Sequence, residues 1–135
     1  MKKYIKKLHH VGLPTTKMDD TIRFYMDFGA NILQEKMDED EGSPIRVVLL
    51  EFCGLIIECY ERKETAGVPG AFDHLAFQVE DIEKMYELAK EKGYRFMDDC
   101  KDSIQPTSYW PGDTRWFIVY GANGEKIEFC QDLKA

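Results

Sequence analysis

The chain repeats itself, and the repeat limits what it can fold into. Ala71-Phe72-Asp73-His74-Leu75-Ala76-Phe77-Gln78-Val79 alternates, with Leu75, Phe77 and Val79 on one side and His74, Ala76 and Gln78 on the other. That is the pattern of a half-buried strand. Leu8-His9-His10-Val11-Gly12-Leu13-Pro14 is an earlier copy, again a strand with a histidine and again followed by a helical pattern. Gly29 stands as far beyond His10 as Gly93 does beyond His74, and each glycine ends a helix. Each half then closes on an apolar strand with one acid inside it, Leu55-Ile56-Ile57-Glu58-Cys59-Tyr60 and Glu125-Lys126-Ile127-Glu128-Phe129-Cys130. A twofold repeat in which each copy carries one histidine and one glutamate follows.

The segments between complete each copy. In the first, Pro14-Thr15-Thr16 breaks the strand and Asp19 or Asp20 caps a helix with Ile22, Tyr25 and Met26 inward. Gly29 ends that helix as a left-handed residue. A strand over 31–36, an acidic turn over 38–44, a strand over 46–52, a turn at Gly54 and a strand over 55–60 follow. The second copy reads as a strand over 72–79, a helix over 81–92 with Ile82, Met85, Tyr86 and Ala89 inward, and a strand over 94–99. After an irregular stretch over 103–112, a hairpin of 115–120 and 126–130 turns at Gly121-Ala122-Asn123-Gly124. Each module is βαβββ. The expected organisation is one α+β domain over 1–135, with modules at 5–61 and 72–131 joined by a linker over 62–71.

A module of this kind has one helix, enough to cover one face of its sheet. Pairing the modules turns the other faces inward, as a curved sheet around a cavity. Alternation puts Val11, Leu75, Phe77, Ile127 and Phe129 under the helices and gives His10, His74, Glu58 and Glu128 the opposite parity, facing the cavity. His9 has the wrong parity and reads as structural, with ligation in place of His10 the alternative. Buried carboxylates and imidazoles need their charge compensated. A divalent cation does so: two neutral imidazoles and two carboxylates make a neutral N₂O₂ set, leaving two octahedral positions for water or substrate.

The net charge of −7 disfavours nucleic acid or an anionic membrane as a partner. No apolar run approaches the length of a membrane-spanning helix, and the basic Met1–Lys7 start lacks the apolar core of a signal peptide. A cytoplasmic protein is expected. Cys53, Cys59, Cys100 and Cys130 form no metal-binding or disulfide spacing and read as reduced, structural residues.

From Leu8 to Gln131 the chain resembles the vicinal oxygen chelate (VOC) superfamily, and within it the short bacterial glyoxalase I (lactoylglutathione lyase) proteins. The resemblance rests on the first strand with Thr21-Ile22-Arg23-Phe24-Tyr25, on Asp73-His74-Leu75-Ala76-Phe77-Gln78-Val79 and on Gly121-Ala122-Asn123-Gly124-Glu125-Lys126-Ile127-Glu128. It implies metal ligands at His10, Glu58, His74 and Glu128, with nickel, cobalt or zinc as the ion. It also implies a lyase or isomerase working through a metal-chelated enediolate on a hemithioacetal or α-hydroxycarbonyl, Glu128 being the first choice of catalytic base and Glu58 the second. A homodimer is implied too, its ligand pairs facing those of the other chain. Glutathione, or another low-molecular-weight thiol, is the implied co-substrate, yet Pro14 and Arg62 stand where glutathione-dependent relatives carry a basic residue and an asparagine. The loop with Tyr109, Trp110 and Pro111 likewise replaces a basic, glycine-rich segment. Arg62, Trp110, Trp116 and Tyr60 are the candidate substrate contacts. The alternatives are a VOC-fold binding or resistance protein that sequesters a small molecule, and an enzyme like methylmalonyl-CoA epimerase.

Overall fold

A computed structural model describes every residue except Ile5, Tyr109, Gly112, Lys134 and Ala135. The chain is α+β and divides into two compact units, Met1–Thr65 and Ala66–Ala135. The first holds β1 (Val11–Thr15), α1 (Met18–Asp27), β2 (Asn31–Asp40), β3 (Ser43–Phe52) and β4 (Leu55–Glu61). The second holds β5 (His74–Gln78), α2 (Ile82–Glu91), β6 (Arg95–Phe96), β7 (Gln105–Thr107), β8 (Thr114–Tyr120) and β9 (Lys126–Asp132). Their sheets have equivalent orders, β1-β4-β3-β2 and β5-β9-β8-β6, with β7 added alongside β8. In each, the first strand runs parallel to the last, β1 with β4 and β5 with β9, and the remaining pairs are antiparallel.

The cores follow strand alternation. Val48, Leu50, Ile57 and Cys59 are fully buried on one face of the first sheet, and Phe117, Val119, Ile127 and Phe129 on one face of the second. Burying a side chain of this size contributes about 1.5–3 kcal/mol. Edge-to-face aromatics close each core: Phe28 with Phe24, Tyr25 and Phe52 in one, Tyr86 with Phe96 and Phe117 in the other.

Several local expectations change. β1 runs through Pro14 and Thr15 instead of breaking there. Thr15 O accepts a bond from Arg62 N, so Thr15 faces β4 and the missing N–H of Pro14 falls on the outer edge, where it costs no ladder bond. Lys17, not Asp19 or Asp20, is the N-cap of α1, and both aspartates lie in the first turn, where the helix dipole favours them. With that start the buried stripe is Met18, Thr21, Phe24 and Tyr25; Met26 is exposed and Ile22 only half-buried. Asp81 caps α2 by accepting from Lys84 N. The acidic turn shrinks to Glu41 and Gly42, both at positive φ as a two-residue hairpin demands, and β2 extends through Asp38, Glu39 and Asp40. The strand expected over 94–99 is only Arg95–Phe96, because the chain turns at Asp98–Cys100 to bury Cys100. β7, inside the stretch expected to be irregular, then pairs with β8.

Candidate functional site

In the first unit Gly12 of β1 lies directly opposite Glu58 of β4; in the second, Ala76 of β5 lies opposite Glu128 of β9. The histidine stands two residues earlier in both; His74 opens β5, whereas His10, expected within the first strand, lies just before β1. A residue with no bulk facing each glutamate leaves the diagonal open, and the imidazole takes it. His10 Nε2 comes to 3.8 Å from Glu58 Oε2, and His74 Nε2 to 3.6 Å from Glu128 Oε1. Ile57, Cys59, Ile127 and Phe129 flank the glutamates and point the other way, into the core. The repeat therefore delivers two matched His–Glu pairs, one per unit.

The other ring nitrogen is engaged in each pair. His74 Nδ1 donates to Asp73 Oδ2 at 2.9 Å, and Asp73 is held in turn by Lys126 Nζ at 3.2 Å. His10 Nδ1 lies 2.8 Å from His9 Nδ1. The hydrogen bond from His74, then that from Lys126, keeps the Asp73 carboxyl below its usual range. Burial pushes Glu128 above the ordinary glutamate range, and the nearby His74 pulls it partly back.

The donor chemistry suits a divalent cation. A cation bonded to nitrogen and oxygen at about 2.0–2.2 Å bridges donors up to about 4 Å apart, so both separations accept one. Among the described residues no group of three or more histidine, cysteine, aspartate or glutamate side chains is gathered about one point, so each pair stands as a two-donor site.

Residues 7–129 match the Glyoxalase/Bleomycin resistance protein/Dioxygenase superfamily. The chain belongs to this superfamily. A relative of similar length, the uncharacterized protein YwbC of Bacillus subtilis, is 26% identical, covering 93% of this chain and 98% of that protein. The glyoxalase family protein of Enterococcus faecalis superposes with a TM-score of 0.75 at 19% identity, covering 94% of this chain and 98% of that one. A mutant of the fosfomycin resistance protein FosX of Listeria monocytogenes, in complex with Mn(II) and 1S,2S-dihydroxypropylphosphonic acid, does so with 0.72 at 19% identity, covering 97% and 94%. At these identities the two structures establish a shared fold.

In this glyoxalase-superfamily chain the remaining candidates fall into distinct places. Glu58 and Tyr60 of β4 and Arg62 just beyond it line an open cleft of about 220 Å³ with Asp38, Ile45 and Val47. The Arg62 guanidinium stacks 4.6 Å from the Tyr60 ring centre, donates from Nη1 to Glu61 O and lies 3.6 Å from Asp40. Trp116 pairs with Cys130, which puts it on the Glu128 face of the second sheet, half-buried. Trp110 is 57% exposed in the turn before β8, and Tyr109 beside it lies outside the described residues. None of the four cysteines is in a disulfide; Cys59 and Cys100 are buried, whereas Cys53 is exposed in the turn at Gly54. Sequence reasoning missed Asp73 as the partner of His74, and it missed the lining residues Asp38, Ile45 and Val47. The available signal for Asp73 was adjacency: it directly precedes a strand histidine.

Proposed function

We propose that this protein is a divalent-metal-dependent lyase or isomerase that moves a proton between adjacent carbons of a hemithioacetal or an α-hydroxycarbonyl compound. The observation that carries the reading is the repeated pair, a histidine Nε2 facing a glutamate across a small residue at equivalent register in both sheets. His10, Glu58, His74 and Glu128 would hold the ion, with nickel, cobalt or zinc expected. When bound, the cation would polarise two neighbouring substrate oxygens and acidify the C–H beside them.

Glu128 is the base in this reading. It is the more shielded of the two glutamates, with a side chain 17% exposed against 39% for Glu58, and burial has already raised its proton affinity. A carboxylate tuned upward takes a proton from carbon more readily and returns it to the neighbouring atom. Glu58, the second choice, opens onto the cleft with Tyr60 and Arg62, which would seat the rest of the substrate. Pro14 and Arg62, in the places of a basic residue and an asparagine, point away from glutathione as the preferred thiol.

A second reading, a VOC-fold resistance protein that takes up a small anionic molecule, draws on Arg62 beside Glu58 and on the likeness to the fosfomycin resistance protein. One experiment separates them. The metal-loaded protein is offered methylglyoxal with glutathione, then with other small thiols, then 2-hydroxycarbonyl compounds alone, in deuterated water. Deuterium should enter the carbon next to the carbonyl of a true substrate, and Glu128→Gln should lose that exchange by roughly 10²–10⁴-fold while keeping its fold. A metal-loaded wild type that exchanges nothing across the panel would hand the advantage to the resistance reading.

A further inference from the structure

We propose that the residue preceding each histidine is its positioning residue, Asp73 for His74 and His9 for His10, and that the two histidines are unequally held. The inference rests on the metal-binding reading above and concerns which ring nitrogen each imidazole presents. An imidazole offers a lone pair at only one nitrogen when neutral, and the partner of the other nitrogen decides which. Asp73, accepting at 2.9 Å, keeps the His74 proton on Nδ1 and leaves Nε2 bare, 3.6 Å from Glu128. Carboxylates in this position orient metal-ligating histidines and raise their basicity.

Asp73 is itself fixed. Lys126 sits directly across from His74 in the β5–β9 register, and its Nζ lies 3.2 and 3.4 Å from the two Asp73 oxygens. A single strand pair therefore carries the ligand, its orienting carboxylate and the cation that pins the carboxylate. In the first unit the same place is taken by the ring of His9, at 2.8 Å. His9 carries no fixed charge and no described clamp equivalent to Lys126. Its ring can accept from His10 Nδ1, or donate to it and so move the His10 proton to Nε2. His10 is thus the adjustable member, and His74 the fixed one. His9, of the wrong parity to reach Glu58, acquires a role through its neighbour.

The test reads the tautomers and the metal separately. Long-range ¹H–¹⁵N correlation on the metal-free protein should report Nδ1–H at His74 in the wild type and loss of that preference in Asp73→Ala. Asp73→Asn, which keeps an accepting oxygen, should preserve it. Calorimetric titration with Mn(II) and Co(II) should then show Asp73→Ala weakened by about 10–100-fold, the cost typical of losing such an outer partner. Asp73→Asn should be intermediate, and His9→Ala should weaken binding less than Asp73→Ala. Asp73 is exposed, so the thermal midpoint of each variant should stay near wild type, which separates positioning from folding. Nε2–H at His74 in the wild type would overturn the proposal, as would equal metal affinity in Asp73→Ala. If the wild type takes up neither metal, the enzyme reading falls, and the tautomer preference alone then decides whether Asp73 positions His74.

Discussion

Gly12 and Ala76 have no chemistry to offer, yet they decide whether the histidines meet the glutamates. Each lies directly opposite an acid across a parallel pair, where a larger side chain would occupy the space the imidazole crosses. At Gly12 even a Cβ would stand 3.6 Å from the Tyr60 ring, so the site is filled from the side as well. Ala76 is the cleaner position to test, because its side of the strand is exposed and a β-branched residue suits a strand. Ala76→Val should therefore leave the urea midpoint near wild type while weakening divalent-metal uptake on the order of tenfold, the size of effect expected from disturbing a ligand's surroundings. Calorimetric titration checks it. Unchanged affinity would mean that His74 does not need the open diagonal.

At the level of elements, α1 starts through a device that replaces side-chain capping. Lys17 has no capping side chain; its N–H is satisfied by Thr15 Oγ1 at 2.9 Å, and Thr21 Oγ1 reaches back to Lys17 O at 2.8 Å. The two hydroxyls, both buried, meet at 2.9 Å. Thr21→Val keeps the shape and strands these partners, so it should cost about 1–3 kcal/mol by urea unfolding. Thr15→Val should cost a similar amount and the double variant less than the total, since the two share one network. Additive losses would mean that the hydroxyls act independently. This device hides in the sequence, where Pro14-Thr15-Thr16 resembles a strand break. The acids Asp38, Glu39 and Asp40 misled in the same way, because β2 is an edge strand with Asn31–Glu39 exposed and carries no burial alternation to read. By contrast, β4 and β9 were legible, since an acid between buried neighbours leaves only one parity for each glutamate. The repeat then supplied the register that pairs each with its histidine. Asp73 and the cleft wall escaped because adjacency and cross-strand lining leave no period in a sequence.

For the whole molecule, the question is how two-donor sites become one that holds an ion. The resemblance to glyoxalase I proteins implies that a His10–Glu58 pair of one chain works with a His74–Glu128 pair of another, and a twofold dimer would supply two such sets. Sedimentation should then give twice the 15.7 kDa chain mass. The sharper experiment mixes two defective chains. His10→Ala spoils the first pair and His74→Ala the second, so each variant alone should take up little metal. In a dimer made of one of each, the intact first pair of one chain meets the intact second pair of the other, and one complete site returns. Random reassociation after denaturation should therefore restore about a quarter of the wild-type sites, half the dimers being mixed with one good site of two. If the four ligands belong to one chain, every chain in the mixture still lacks one and nothing returns. Recovery of metal and of deuterium exchange together would assign the shared site to the dimer, and failure of both in a protein that still sediments as a dimer would confine it to the single chain.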